Sequence, residues 1–144
     1  MLKRPLLEMV IASMLIFPCY GPGNTGIIGT SLAAEADPAA QTSDERGVKV
    51  TVVPKKFLDK ATWDFSVTVE THTQPLSDDL AKSSLLIAEG RQYLPLGWEG
   101  APAGGHHRKG VLHFKAIVPQ PKSIELQIRL LADPSPRSFK WLLK

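Results

Sequence analysis

From residue 47 onward, apolar side chains recur at every second position, and prolines stand between the runs. Val48, Val50 and Val52 alternate with Lys49 and Thr51. Trp63, Phe65, Val67 and Val69 alternate with Asp64, Ser66, Thr68 and Glu70. Leu112, Phe114, Ala116 and Val118 share one parity, opposite His113 and Lys115. Ile124, Leu126, Ile128 and Leu130 form a fourth such run, and Phe139, Trp141 and Leu143 a fifth. Successive side chains of a strand point to opposite faces, so these runs describe half-buried antiparallel strands. Pro54, Pro75, Pro95, Pro102, Pro119, Pro121, Pro134 and Pro136 fall between the runs. A proline cannot donate to a central ladder, so its place at the ends supports this segmentation.

The stretch 83–89 alternates less and is expected to be a more central strand. A short strand at 92–94 follows through a hairpin turn at Glu89-Gly90-Arg91. The fold class expected is all-β: a small antiparallel two-sheet sandwich of immunoglobulin-like type with about seven strands. A small barrel is the alternative. Helical signals are confined to a turn at 77–82, with Ser77 as its cap and Asp78 and Asp79 at its positive end, and a short turn at 58–62.

The first 36 residues read differently. Lys3 and Arg4 precede an apolar run of nine residues at 9–17, and Ala34-Glu35-Ala36 offers small residues in an A-x-A-like arrangement. This is the order of a secretory signal. Nine apolar residues fall short of the about 20 that span a bilayer, so no transmembrane segment is expected in the mature chain. Glu8 beside the apolar run, and the Gly/Pro-rich stretch after it, also admit a start at Met9 or Met14. Lipid attachment at Cys19 is disfavoured because Phe17 and Pro18 precede it. Residues 37–46 are polar and small and read as a flexible leader, with the domain occupying 47–144. The expected destination is the periplasm or the exterior.

Cleavage near Ala36 leaves a domain without cysteine or methionine. Such a domain has no disulfide, no iron–sulfur ligation and no thiolate or thioether for a blue-copper centre. The formal charge is +3, and the cations are scattered. No basic run or basic stripe interleaved with aromatics suggests nucleic acid.

Chemistry concentrates in one stretch, which holds three of the four histidines within eight residues: His106, His107 and His113. Pro102, Gly104 and Gly105 shape a loop that leads into a strand. Imidazole is the commonest metal ligand and titrates nearest neutrality. With His72 arriving from the end of another strand, and Asp78, Asp79 or Glu99 completing a nitrogen and oxygen shell, the set suits zinc or copper. Against this, adjacent His106 and His107 diverge in extended chain, and regular pairing is expected to turn His113 away from both. The spacing matches no zinc-finger or H-E-x-x-H pattern. A structural role for the histidines, with Arg108 pairing to Asp78 or Asp79, is the competing reading. Trp98, Glu99 and Arg108 are the candidates for a binding loop, with Trp98 either a ligand platform or an anchor of the core.

A catalytic set does not emerge. Ser77, His72 and Asp79 have the residue types of a triad, but no nucleophile elbow surrounds the serine. Asp78 and Asp79 are mere sequence neighbours, and the glycines at 100–105 lack the Lys-Ser/Thr of a phosphate loop.

Thr71-His72-Thr73, Leu76-Ser77-Asp78-Asp79-Leu80, the Tyr93-to-Gly100 segment, Gly104-Gly105-His106-His107-Arg108, Gly110-to-Phe114 and the closing Phe139-Lys140-Trp141 together resemble a group of uncharacterised exported bacterial proteins. The resemblance runs over roughly 48–142. It implies export and a β fold, and brings no established activity. The leading expectation is a non-catalytic module of the cell envelope that binds a protein or polymer or serves as a structural accessory. The alternative is an envelope copper- or zinc-binding protein.

Overall fold

The alternating runs pair into two antiparallel sheets. The computed structural model describes residues 38–55 and 61–144. Residues 1–36, expected to be a secretory signal, Cys19 among them, and most of the turn expected at 58–62 lie outside the described residues. The strands are β1 (Gln41–Glu45), β2 (Val48–Pro54), β3 (Thr62–Thr71), β4 (Ser84–Ala88), β5 (Arg91–Tyr93), β6 (Gly97–Gly100), β7 (His107–Lys115), β8 (Ser123–Ile128) and β9 (Arg137–Leu142). One sheet has the order β1-β2-β3-β7-β6, and the other β5-β4-β8-β9. Leaving β1 aside, β2-β3-β7-β6 corresponds to the A-B-E-D sheet of the immunoglobulin fold. The second sheet corresponds to C, F and G with an added C′ edge. The sandwich therefore follows immunoglobulin-like order, with nine strands among the described residues instead of about seven.

The extra strands are ones whose residues lack apolar alternation. Residues 37–46 were expected to form a flexible leader, yet 41–45 form β1 and pair with β2 from Gln41↔Val52 to Glu45↔Val48. The polar side chains do not drive this; the turn does. Arg46 and Gly47 both have positive φ, 53° and 74°, as two-residue hairpins require, because that geometry matches the twist of paired strands. Glu89 and Gly90 (49° and 76°) close the β4–β5 hairpin in the same way, at the place the sequence marks for it. β6 was not expected either: it is four residues long, with glycine at both ends.

The inner faces bury Val50, Val52, Phe65, Val67, Leu86, Leu112, Phe114, Leu126 and Ile128 completely. Phe65 meets Phe114 edge-on at 5.6 Å and Trp141 at 5.8 Å. Phe65 and Phe114 are neighbours on one sheet, and the Phe65–Trp141 contact spans the two sheets. Ala116 and Val118, expected on β7, lie beyond its end, and Val118 is exposed. The helical turn is α1 (Leu80–Ser83), and its cap is Asp79 instead of Ser77. Asp79 accepts from the Ala81 and Lys82 amides, satisfying two donors a helix start leaves open.

The side of the sandwich where β1 and β9 meet is closed by polar side chains. The Gln41 amide bonds both the carbonyl and the N–H of Lys140. Trp141 donates its indole N–H to Ala39 at 2.7 Å. Arg137, on β9, lies buried and donates bidentately to Asp133, with Nε–Oδ2 at 2.7 Å. It also reaches the carbonyls of Val48 (2.6 Å) and Glu45 (3.0 Å) across the sheets. This covers the β9 edge, which would otherwise offer unpaired backbone groups.

Candidate functional site

The loop at 101–106 connects β6 to β7, and backbone bonds sew it to its neighbours. Thr71 donates to the His106 carbonyl at 2.9 Å, Leu76 donates to Gly105 at 2.9 Å, and Gly104 donates to Leu76 at 2.7 Å. Ala101 donates to Lys109 at 3.0 Å. Gly104 and Gly105 take φ values of 114° and 69°, which residues with a Cβ resist. The loop is thus a shaped strap across the sandwich end, as its Gly/Pro content suggested.

Arg108 fixes it from below. Arg108 has the parity of Leu112 and Phe114, so its side chain enters the sandwich and is 3 % exposed. Nη1 donates to the carbonyls of Asp78 (2.6 Å) and Leu76 (3.4 Å), and Nη2 to Ala101 (3.3 Å). The expected pairing with the carboxylates of Asp78 or Asp79 is replaced by these carbonyls, because the Asp78 carboxylate accepts from the Leu131 N–H at 2.6 Å. The guanidinium carbon lies 5.7 Å from the centre of the Trp98 ring, within cation–π range. Trp98 donates Nε1 to the same Ala101 carbonyl at 3.0 Å. Trp98 and Arg108 therefore brace the loop from inside. Trp98 is half-buried against the core and does not stand out as an open platform. Its indole lies over Gly110, where a Cβ would come within 2.6 Å of Cζ2 and 2.5 Å of the Glu99 carbonyl.

The four histidines are not brought together. His107 and His113 both lie on the outer face of the first sheet, since six residues separate them. The expected divergence of this pair is thus corrected, and distance along the strand keeps them apart instead: about 20 Å at about 3.3 Å per residue. His107 faces Glu70, its register partner, with Nδ1 at 3.2 Å from the carboxylate. His106 and His72 are exposed at the strap and at the end of β3. Among the described residues, no group of three or more His, Cys, Asp or Glu is placed to hold a metal ion.

His113 has the richest surroundings. Its register partner Asp64, on β3, accepts at Nδ1 at 2.8 Å, and Glu99, on β6, stands 3.3 Å from Nε2. The Asp64 hydrogen bond is the main cause that raises the imidazole pKa above its ordinary value; partial burial opposes it, and the charges of Asp64 and Glu99 add to the rise. The two carboxylates flank opposite edges of the ring, so a single ion cannot take Asp64, His113 and Glu99 together. The arrangement can hold a proton and tie the edge strand β6 to β3 through β7.

Two features have no local signal in the sequence. Asp64 and Glu70 become partners of His113 and His107 only through the β3–β7 register. The second is an open groove of about 920 Å³ at the end of the second sheet, between the 77–85 segment, Leu94 and the 127–136 segment. Comparison with family models, with curated proteins and with solved structures returned no match.

Proposed function

We propose that this chain is an exported, non-catalytic β-sandwich module of the cell envelope, with a binding or structural accessory role toward an envelope protein or polymer. The observation that supports this most is how the conspicuous side chains are used. Arg108 and Trp98 are spent on bracing the loop, and His107 and His113 on carboxylates of the neighbouring strand. The signal-like order of residues 1–36 supports export to the periplasm or beyond, without an anchor at Cys19. Among the described residues, no helix is long and apolar enough to cross a membrane.

The copper- or zinc-binding alternative has one observation in its favour. A carboxylate on Nδ1, as Asp64 provides, is the usual support behind a metal-bound imidazole, and Nε2 of His113 then faces Glu99. Two ligands are fewer than the three or four that zinc takes from proteins.

Expression of the full chain without a tag, followed by fractionation, intact-mass measurement and elemental analysis, tests the proposal. The expected product is periplasmic or secreted, begins near residue 37 and carries no stoichiometric metal. Retention in the cytosol with residues 1–36 intact, or copper or zinc near one per chain, would overturn it.

A further inference from the structure

The two most exposed large apolar side chains among the described residues stand at one end of the sandwich. Val118 is 88 % exposed and Leu142 83 %. This is the end away from the strap at 101–106, where β2, β7 and β9 finish and β3 and β8 begin. Val118 lies in the connection from β7 to β8, and Leu142 is paired with Ser123 at the first position of β8. The connection is tied down on both sides. Ala116 donates its N–H to the Ala61 carbonyl at 3.0 Å, and Leu143 donates to the Lys122 carbonyl at 2.8 Å. The Gln120 amide donates to the Lys144 carbonyl at 3.3 Å. Ile117 packs partly against the core and Pro121 is buried, so Val118 is held outward between them. Pro119 and Pro121 carry no N–H, which leaves fewer backbone donors to desolvate when the connection leaves water. Lys55 follows β2, Lys115 ends β7 and Lys122 precedes β8. All three are exposed, and none has a carboxylate partner among the described residues. The carboxylates nearby are accounted for: Asp64 is taken by His113, and Glu89 is offset by Arg91 across the β4–β5 turn. The surplus charge at this end is therefore positive. The described chain also begins here, since Gln41 is paired with Val52 and the Ala39 carbonyl accepts from Trp141.

We propose that this end docks on the surface of a bilayer containing anionic phospholipid. Val118 and Leu142 enter the headgroup region, and Lys55, Lys115 and Lys122 lie over its phosphates. Charge complementarity selects the anionic surface, and each lysine held near it is worth about fivefold in affinity. Lysine suits a laterally mobile layer of phosphates, because it is a point charge on a flexible stem and not a fixed fork. The exposed apolar pair selects a bilayer over a soluble polyanion, which has no apolar layer to receive it. The inference rests on reading the chain as an exported envelope module. It goes beyond that reading by setting the module against lipid, whichever protein or polymer it meets elsewhere.

The test is cosedimentation with vesicles of phosphatidylglycerol and phosphatidylcholine in equal parts, or of phosphatidylcholine alone. The protein is taken from the periplasmic or secreted fraction of cells expressing the full chain. Binding to the mixed vesicles is expected to be at least about tenfold tighter than to phosphatidylcholine, and to weaken as salt is raised. Lys115→Glu with Lys122→Glu is expected to lose at least about tenfold. Val118→Ser with Leu142→Ser is expected to lose about tenfold through the apolar contact alone. Both double variants should keep the parent melting temperature, because the four side chains are exposed. Lys109→Glu with Arg129→Glu removes the same charge away from this end and is expected to lose less than about threefold. Equal binding to both vesicle types, no binding to either, or equal losses in the two charge variants would overturn the proposal. So would undiminished binding by the Val118→Ser, Leu142→Ser variant, the sign of a site for a soluble polyanion. Failure to bind vesicles leaves export, read by fractionation, standing, so the two readings fail separately.

Discussion

Two buried arginines hold the same end of this sandwich in different ways. Arg137 has a carboxylate of matching charge in Asp133, and all three of its nitrogens have acceptors. Arg108 has only carbonyls and an indole face, and its Nε is left without a partner. The first ties strands of both sheets, through β1, β2 and β9. The second ties a loop. A buried ion pair with complete hydrogen bonding is costly to break from one side, because the remaining charge is stranded. A guanidinium among carbonyl dipoles leaves only neutral acceptors behind when it is removed, and those cost less.

Several substitutions can break or sharpen this contrast. Arg137→Ala strands Asp133 and is expected to lower global stability by about 3–5 kcal/mol, read by chemical denaturation. A loss under about 1 kcal/mol would show that the corner does not act as a clamp. Arg108→Met leaves the carbonyls of Leu76, Asp78 and Ala101 short of donors and is expected to cost about 1–3 kcal/mol. Its distinguishing sign is local: amide exchange at Leu76 and Gly104 should accelerate more than exchange in β8. Gly110→Ala forces a Cβ against the Glu99 carbonyl and the Trp98 ring and is expected to cost about 1–3 kcal/mol, with the β6 amides losing protection first.

The outer-face pair Asp64–His113 gives a smaller, pH-dependent effect. The folded pKa of His113 is raised, so its contribution is fully present below the unfolded value of about 6.5 and is lost as pH rises through the raised value. Asp64→Asn should therefore cost more near pH 5.5 than at pH 8.5, by less than about 1 kcal/mol because the pair is partly exposed. Equal costs at both pH values would remove the proton from this account. Smallest of all, His106→Ala with His107→Ala should change stability by no more than about 0.5 kcal/mol, as expected for exposed side chains.

Parity made much of this legible. The runs at 48–52, 63–69, 124–128 and 139–141 are strands with the expected faces, and the Glu89–Gly90 turn sits where the sequence puts it. Carried one step further, the same rule reaches both arginines. Arg108 shares the parity of Leu112 and Phe114, and Arg137 that of Phe139 and Trp141, so each points inward. That step is easily missed, because a charged residue before an apolar run reads as a loop. β1 was illegible for another reason: its side chains are polar and its pairing comes from the Arg46–Gly47 turn. The partners of the histidines depend on register between β3 and β7, strands 35 or more residues apart in the chain, which no local pattern encodes. The strap at 101–106 kept its predicted character as a shaped loop, while the ligand set drawn from it, His72, His106, His107 and His113, dispersed over the sheet end and face.

The most direct test of the claim that the loop histidines belong to a braced strap is calorimetric titration of the untagged protein with zinc and with copper, alongside the His106→Ala, His107→Ala double variant. The prediction is binding no tighter than about 0.1 mM, the same in both proteins. Micromolar binding by the parent that disappears in a still-folded double variant would contradict it.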